Sequence, residues 1–242
     1  MENKKINWII HNVKYLPSYS EYVNYWGRVD DIVIMDNHRC ALYHWLSIDR
    51  PFHYLHIDAH YDAFCDQNTS EELQLLRDAN LKELTFLNLE NLRLQKKLVR
   101  WDNYIPIFYS LKKDLILSSH FFTQKIGIPP HPPSVWKEHG PWELVSFLQL
   151  IQRSQMDEVP WLINIDLDYF FQKDFHDPIF RDEFIVKFFA EINKLRKLNL
   201  VMMISIAISP ECCPGRDVAL KFLNKVMAQL SNDDEILDVL KC

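Results

Sequence analysis

Two short runs carry most of the chemistry this chain can perform: His56-Ile57-Asp58-Ala59-His60-Tyr61-Asp62 and, much later, Asn164-Ile165-Asp166-Leu167-Asp168. Along an extended segment residues i, i+2 and i+4 share a face, so Asp58, His60 and Asp62 are expected to converge, as are Asp166 and Asp168. Four carboxylates at one locus repel one another unless cations neutralise them, and two divalent ions would balance the charge. His38, close behind the apolar run at residues 31–35, adds an imidazole. Carboxylates and imidazoles together suit Mn²⁺ better than structural zinc, for which thiolates are expected; Fe²⁺ and Co²⁺ are the alternatives. An Asp-x-Asp pair alone occurs in many caps and loops, so the metal reading rests on both runs lying at strand ends of one domain.

The elements that must hold these residues alternate. Apolar and β-branched runs predict strands at residues 31–35, 54–57, 114–118, 161–165 and 200–208, and apolar spacing predicts helices at 39–48, 71–77, 82–92, 141–153, 179–197 and 216–230. Pro141 and Glu143 mark the start of the fourth helix, and the prolines at 129, 130, 132 and 133 predict a stiff loop before it. Strands that are apolar on both faces and separated by helices predict a three-layer αβα sandwich with a mainly parallel sheet. Ligands in such sheets bind beyond the carboxyl ends of the strands, where His38, residues 58–62, Asp166, Asp168 and Ser209-Pro210-Glu211 all fall.

Composition limits the partners. A chain of 242 residues with 48% apolar and 25% charged residues is expected to fold as one domain spanning 1–242. A net charge of -6 without a Lys/Arg cluster argues against nucleic acid and for a cationic partner. No apolar run is long enough for a membrane span or a signal peptide, so a cytoplasmic protein with no membrane partner is expected. The five cysteines include no C-x-x-C pair and are expected to be reduced thiols.

The motifs Asp36-Asn37-His38, His56-Ile57-Asp58-Ala59-His60-Tyr61-Asp62, Ile165-Asp166-Leu167-Asp168-Tyr169-Phe170 and Ser209-Pro210-Glu211-Cys212 resemble, in type and order, those of the ureohydrolases, the arginase and agmatinase superfamily. Within it they look most like the branch of bacterial peptide arginases. The resemblance runs from about residue 31 to about residue 213 and implies an arginase-like fold. It implies that His38, Asp58, His60, Asp62, Asp166 and Asp168 hold two Mn²⁺ ions, that Asp62 transfers a proton, and that Glu211 binds the guanidinium. The implied activity is hydrolysis of peptidyl arginine to ornithine and urea, during maturation of an arginine-containing, ribosomally made precursor peptide.

Several features depart from the family pattern. Met35-Asp36-Asn37-His38 lacks the glycine usual before the first histidine, and Tyr169-Phe170-Phe171 replaces the further Asp-Pro after the Asp-x-Asp pair. No histidine lies between Ala63 and Leu75, where free-arginine enzymes carry a proton shuttle, which leaves His120, His131 and His176 as candidates. No loop for gripping a free amino acid is recognisable, which favours a polypeptide substrate, and residues 123–142 with Trp136 and Trp142 are a candidate groove wall. The rival readings are a ureohydrolase for free arginine, agmatine or another small guanidino compound, an amidohydrolase related to the deacetylases, and a non-catalytic metal-stabilised interaction protein.

Overall fold

The computed structural model describes residues 7–11, 22–65, 73, 74, 76, 99–131, 136–154, 159–172 and 175–230. Eight strands among them form one sheet: β1 (Asn7–His11), β2 (Tyr25–Val29), β3 (Ile32–Met35), β4 (Phe52–His60), β5 (Ile116–Ile126), β6 (Lys137–His139), β7 (Trp161–Asp166) and β8 (Val201–Ala207). Their order is β1-β2-β3-β8-β7-β4-β5-β6. The pairs β1–β2 and β2–β3 are antiparallel, and every other neighbouring pair is parallel. The α-helices are α1 (Cys40–Leu46), α2 (Tyr104–Lys112), α3 (Leu144–Ser154), α4 (Asp182–Lys197) and α5 (Arg216–Leu230).

Helices cover both faces, which is why the central strands are largely apolar on both sides. On one face Leu55, Ile57, Ile163, Ile165, Ile204 and Ile206 pack against α3, α4 and α5. On the other, Val33, Met35, Tyr54 and Leu162 pack with Leu42 and Trp45 of α1 and with Tyr104 and Phe108 of α2. The protein is therefore α/β, with a mainly parallel sheet between two helical layers. The consecutive neighbours β3, β8, β7 and β4 are all parallel, so their carboxyl ends open along one edge. Chain order is broken there, with β8 lying between β3 and β7, and such a break leaves a crevice between diverging connections.

The alternating pattern located most of this frame, but not its outer parts. β4 extends from Phe52 to His60, well past the predicted 54–57, because Asp58 and His60 continue the ladder alongside β5. β5 runs on to Ile126 where 114–118 was expected, since its Ser118, Ser119, His120, Thr123 and Gln124 interrupt the apolar signal. β1, β2, β6 and α2 carry no clear periodicity of their own. In α2, Pro106 occupies the first turn, where its missing N–H would have no intrahelical partner. The helix predicted at 82–92 lies outside the described residues, as does most of that at 71–77. No helix among the described residues is long and apolar enough to cross a membrane.

Candidate metal centre

Each of β3, β4 and β7 delivers its residues by a different local device. His38 sits in the turn between β3 and α1, where the Ala41 N–H donates to its carbonyl at 3.0 Å. The same turn is fastened from below by Asp36, whose carboxylate accepts from the N–H groups of Asn24 and Tyr25 and from Asn24 Nδ2. Asp58 and His60 belong to β4, but Asp62 lies just beyond it with φ 48, a left-handed conformation that aspartate tolerates better than most residues. Asp166 ends β7 and caps a 3-10 turn, Leu167–Phe170, by accepting from the Asp168 N–H at 3.0 Å. Strand alternation thus does not bring either run to its locus unaided. A left-handed residue redirects Asp62, and a helical turn presents Asp168. Ser209, also left-handed at φ 40, sets its hydroxyl 2.5 Å from Asp166 Oδ2 as a donor.

These devices bring the six predicted donors together. His38 Nδ1 lies 3.0 Å from Asp58 Oδ2, 3.1 Å from Asp166 Oδ2 and 3.3 Å from Asp62 Oδ2. His60 Nδ1 lies 2.9 Å from Asp168 Oδ2 and 3.5 Å from Asp58 Oδ1. The donor atoms of His38, Asp58 and Asp62 lie within 4.8 Å of one another, and so do those of Asp58, Asp166 and Asp168. Asp58 belongs to both groups.

Hydrogen bonding behind the centre determines which way His38 faces. The His60 carbonyl can only accept, so His56 Nε2, at 3.1 Å, carries a hydrogen. Burial lowers the His56 pKa to about 4, leaving the ring neutral and its Nδ1 an acceptor for Asn164 Nδ2 at 3.0 Å. The Asn164 amide oxygen then faces His38 Nε2 at 2.8 Å and accepts its hydrogen. In the neutral ring this turns the His38 Nδ1 lone pair toward three carboxylate oxygens. None is in hydrogen-bond geometry with it, and His38 Nδ1, Asp58 Oδ2 and Asp168 Oδ2 are all buried polar atoms without a hydrogen-bond partner. An imidazole fixed from behind, with bare donors converging in front, is how protein ligands are arranged around a metal ion. These buried His and Asp groups fit a divalent cation and can hold metal ions.

Asn164→Leu is accordingly expected to weaken metal affinity by about 10- to 100-fold while leaving the six donors in place. Isothermal titration with Mn²⁺ checks this, and unchanged affinity would show the relay to be mere packing.

The electrostatics support the same reading. Burial alone would neutralise every ionisable group here, but pairing overrides it at three of them. Against their burial, the carboxylates of Asp166, Asp58 and Asp62 hold His38 well above the usual histidine range, and Asp168 and Asp58 raise His60 to about 11. Also against burial, His38 and His60 hold Asp58 well below the carboxylate range. Burial and then the Asp58 charge push Asp62 up to about 7, and burial with the charges of Asp166 and Asp58 carries Asp168 well above its ordinary value. In the protein alone, protons on these side chains do the neutralising work that dications would do.

The centre floors a cavity of about 370 Å³, lined also by Trp101, Glu211 and Cys212. Glu211 therefore stands where the sequence placed it, at the end of β8, facing the same space as Asp62 and His60. His56 and Asn164 were visible only as neighbours of ligands, and nothing in spacing marked Trp101 or Cys212, which reach the cavity through loops. Of the candidate shuttles, His120 lies on the opposite sheet face beside Phe147 and His139, and His131 and His176 are exposed in loops. Nor does any residue of 123–142 line this cavity among those described. Trp136 donates to the Pro130 carbonyl and packs on Phe121, and Trp142 is 81% exposed. Compared with known proteins, no protein-family model matches the chain, and neither does a curated relative or a solved structure.

Proposed function

We propose that the protein is a dinuclear ureohydrolase of arginase-like fold that hydrolyses the guanidinium of peptidyl arginine, releasing urea and leaving ornithine. The observation that carries this reading is the convergence of His38, Asp58, Asp62 and Asp166 within 3.3 Å contacts at the carboxyl edge of a mainly parallel sheet, with His60 and Asp168 beside them. The order of these residues along the chain supports a ureohydrolase rather than another metal protein. Divalent ions held there, Mn²⁺ first and Fe²⁺ or Co²⁺ next, would supply the positive charge that makes water a nucleophile at neutral pH.

The chain's own groups account for the rest. The guanidinium is a planar cation, and Glu211, which lines the same cavity as the metal donors, is suited to accept its paired N–H groups. Trp101, 38% exposed and edge-on to His60 with ring centroids 6.3 Å apart, offers an aromatic wall for the same cation. Asp62 lines the same cavity, and the family resemblance gives it the return of a proton to the departing amine. The overall reaction adds one water: the bond between the guanidino carbon and the side-chain nitrogen breaks, the carbon departs with its two terminal nitrogens as urea, and the side-chain nitrogen stays on the peptide as the ornithine ammonium. A precursor peptide is the favoured substrate because the sequence offers no recognisable grip for the α-amino and α-carboxylate groups of free arginine. The net charge of -6 supports a cationic substrate over nucleic acid, and a cytoplasmic setting suits the reduced thiols.

Mass spectrometry of an arginine-containing peptide incubated with the Mn²⁺-loaded protein tests this, with free arginine and agmatine run beside it. A loss of about 42 Da per arginine, with urea released, is the expected result. Turnover of the free compounds alone would make the protein a small-molecule ureohydrolase. Two bound metals with no turnover of any guanidino compound would favour the metal-stabilised interaction protein.

A further inference from the structure

The two halves of the centre differ in chemistry. Around His38 the donors are nitrogen and oxygen only, whereas the group on the other side comprises His60, Asp168 and Cys212, whose ligand atoms all lie within 4.8 Å of one another. We propose that Cys212 Sγ is a third protein donor at the His60–Asp168 position, so that the two positions prefer different metals. This rests on the metal-centre reading above and adds to it a ligand that an oxygen- and imidazole-based set does not contain.

Three observations carry it. The first is the fate of the neighbouring cysteines, neither of which is in a disulfide. A turn closed by the N–H groups of Cys212 and Cys213, both donating to the Ser209 carbonyl, separates them. Cys213 is buried and sends its thiol to the Ile208 carbonyl at 3.3 Å, whereas Cys212 lines the cavity. The second is Asp168 Oδ2, which is buried, 2.9 Å from His60 Nδ1, and without a hydrogen-bond partner. A cation between carboxylate, imidazole and sulfur would satisfy it. The third is the match of donor to metal: a thiolate draws zinc, iron or cobalt, while the carboxylate-rich position of Asp58, Asp62 and His38 suits manganese. Binding releases the thiol proton to solvent, and no oxidant or reductant takes part.

Co²⁺ titration of the full chain, followed by absorption and by metal analysis, tests the assignment. The expected result is a near-ultraviolet sulfur-to-cobalt charge-transfer band in the unaltered protein that is lost in Cys212→Ala and kept in Cys65→Ser. In competition, Zn²⁺ is expected to displace one ion and erase the band while Mn²⁺ does not. Cobalt bound with no such band, or a band that survives in Cys212→Ala, overturns the Cys212 assignment and leaves the metal centre standing. No cobalt binding at all overturns both. The spectrum of the unaltered protein decides between these outcomes even if Cys212→Ala fails to fold.

Discussion

Asp58→Asn is expected to abolish paired metal binding and to lower turnover on the order of 10³-fold, equivalent to about 4 kcal/mol of transition-state stabilisation. Asp58 is fully buried, belongs to two of the candidate ligand groups and lies 3.5 Å from His60 Nδ1, so its loss takes a donor from the His38 position and a neighbouring charge from the His60–Asp168 position. The substitution separates the two oxygens by role. Oδ1 accepts the His60 N–H at 2.7 Å, and an asparagine oxygen can take over that bond. Oδ2 has no hydrogen-bond partner, and an amide nitrogen there faces His38 Nδ1 with a weaker metal donor and no charge. Because Asp58 is the carboxylate that pairs with His38 and His60, the metal-free variant is expected to melt below the metal-free parent. It also loses stabilisation by added metal, about 2.7 kcal/mol for the parent at a hundredfold excess over Kd. Metal analysis and melting curves with and without Mn²⁺ measure both effects. A variant that binds two ions and turns over normally would remove Asp58 from the centre.

The second large effect is opposite pH dependence in the metal-free and metal-loaded protein. A carboxyl whose folded pKa is raised binds its proton more tightly when folded, so its contribution is complete below the unfolded value of 3.8. That contribution is lost as pH rises through the folded value, which for Asp62 is about 7 and corresponds to stability on the order of 4 kcal/mol. Asp36, raised to about 6 chiefly by burial, acts in the same direction. His60, raised to about 11, acts in this direction too, its contribution complete below the unfolded histidine value of 6.5 and falling from there toward pH 11. The metal-free protein is therefore expected to lose roughly 10 °C of melting temperature between about pH 5 and pH 8. Metal and protons compete for the same oxygens, so metal affinity rises over the same interval and the loaded protein holds its melting temperature or gains. Parallel curves for the two forms would mean that metal does not bind at these side chains.

The pH prediction depends on Asp62, whose position also shows how far the residues could be read without a fold. Its type and its spacing from Asp58 and His60 were legible, but not its path. Alternation predicts an extended segment, and the chain instead turns at Asp62 with φ 48. Asp168 behaves alike: it was grouped correctly with Asp166 but reaches the centre from a 3-10 turn that Asp166 itself caps. Short-range spacing limits which residues can meet, while the bend that makes them meet is set by neighbouring strands and loops.

The α/β class with a mainly parallel sheet followed from strands apolar on both faces, a local property of composition and period. β5 and α2 were mistaken or missed, because one is polar along much of its length and the other has no polar face to mark its period. The ligand candidates His38, Asp58, His60, Asp62, Asp166, Asp168 and Glu211 were likewise identifiable from residue type and from their place at strand ends. Only the tertiary structure made Asn164 the acceptor that turns His38 toward the carboxylates, 126 residues away in the chain. Only it sent Cys212 into the cavity and its neighbour Cys213 into the core. The sequence by itself determined which donors exist and which face they share, because period and side-chain chemistry act over a few residues. The order β3-β8-β7-β4, which no local signal encodes, decided which donors face one another and which hydrogen bonds hold them there.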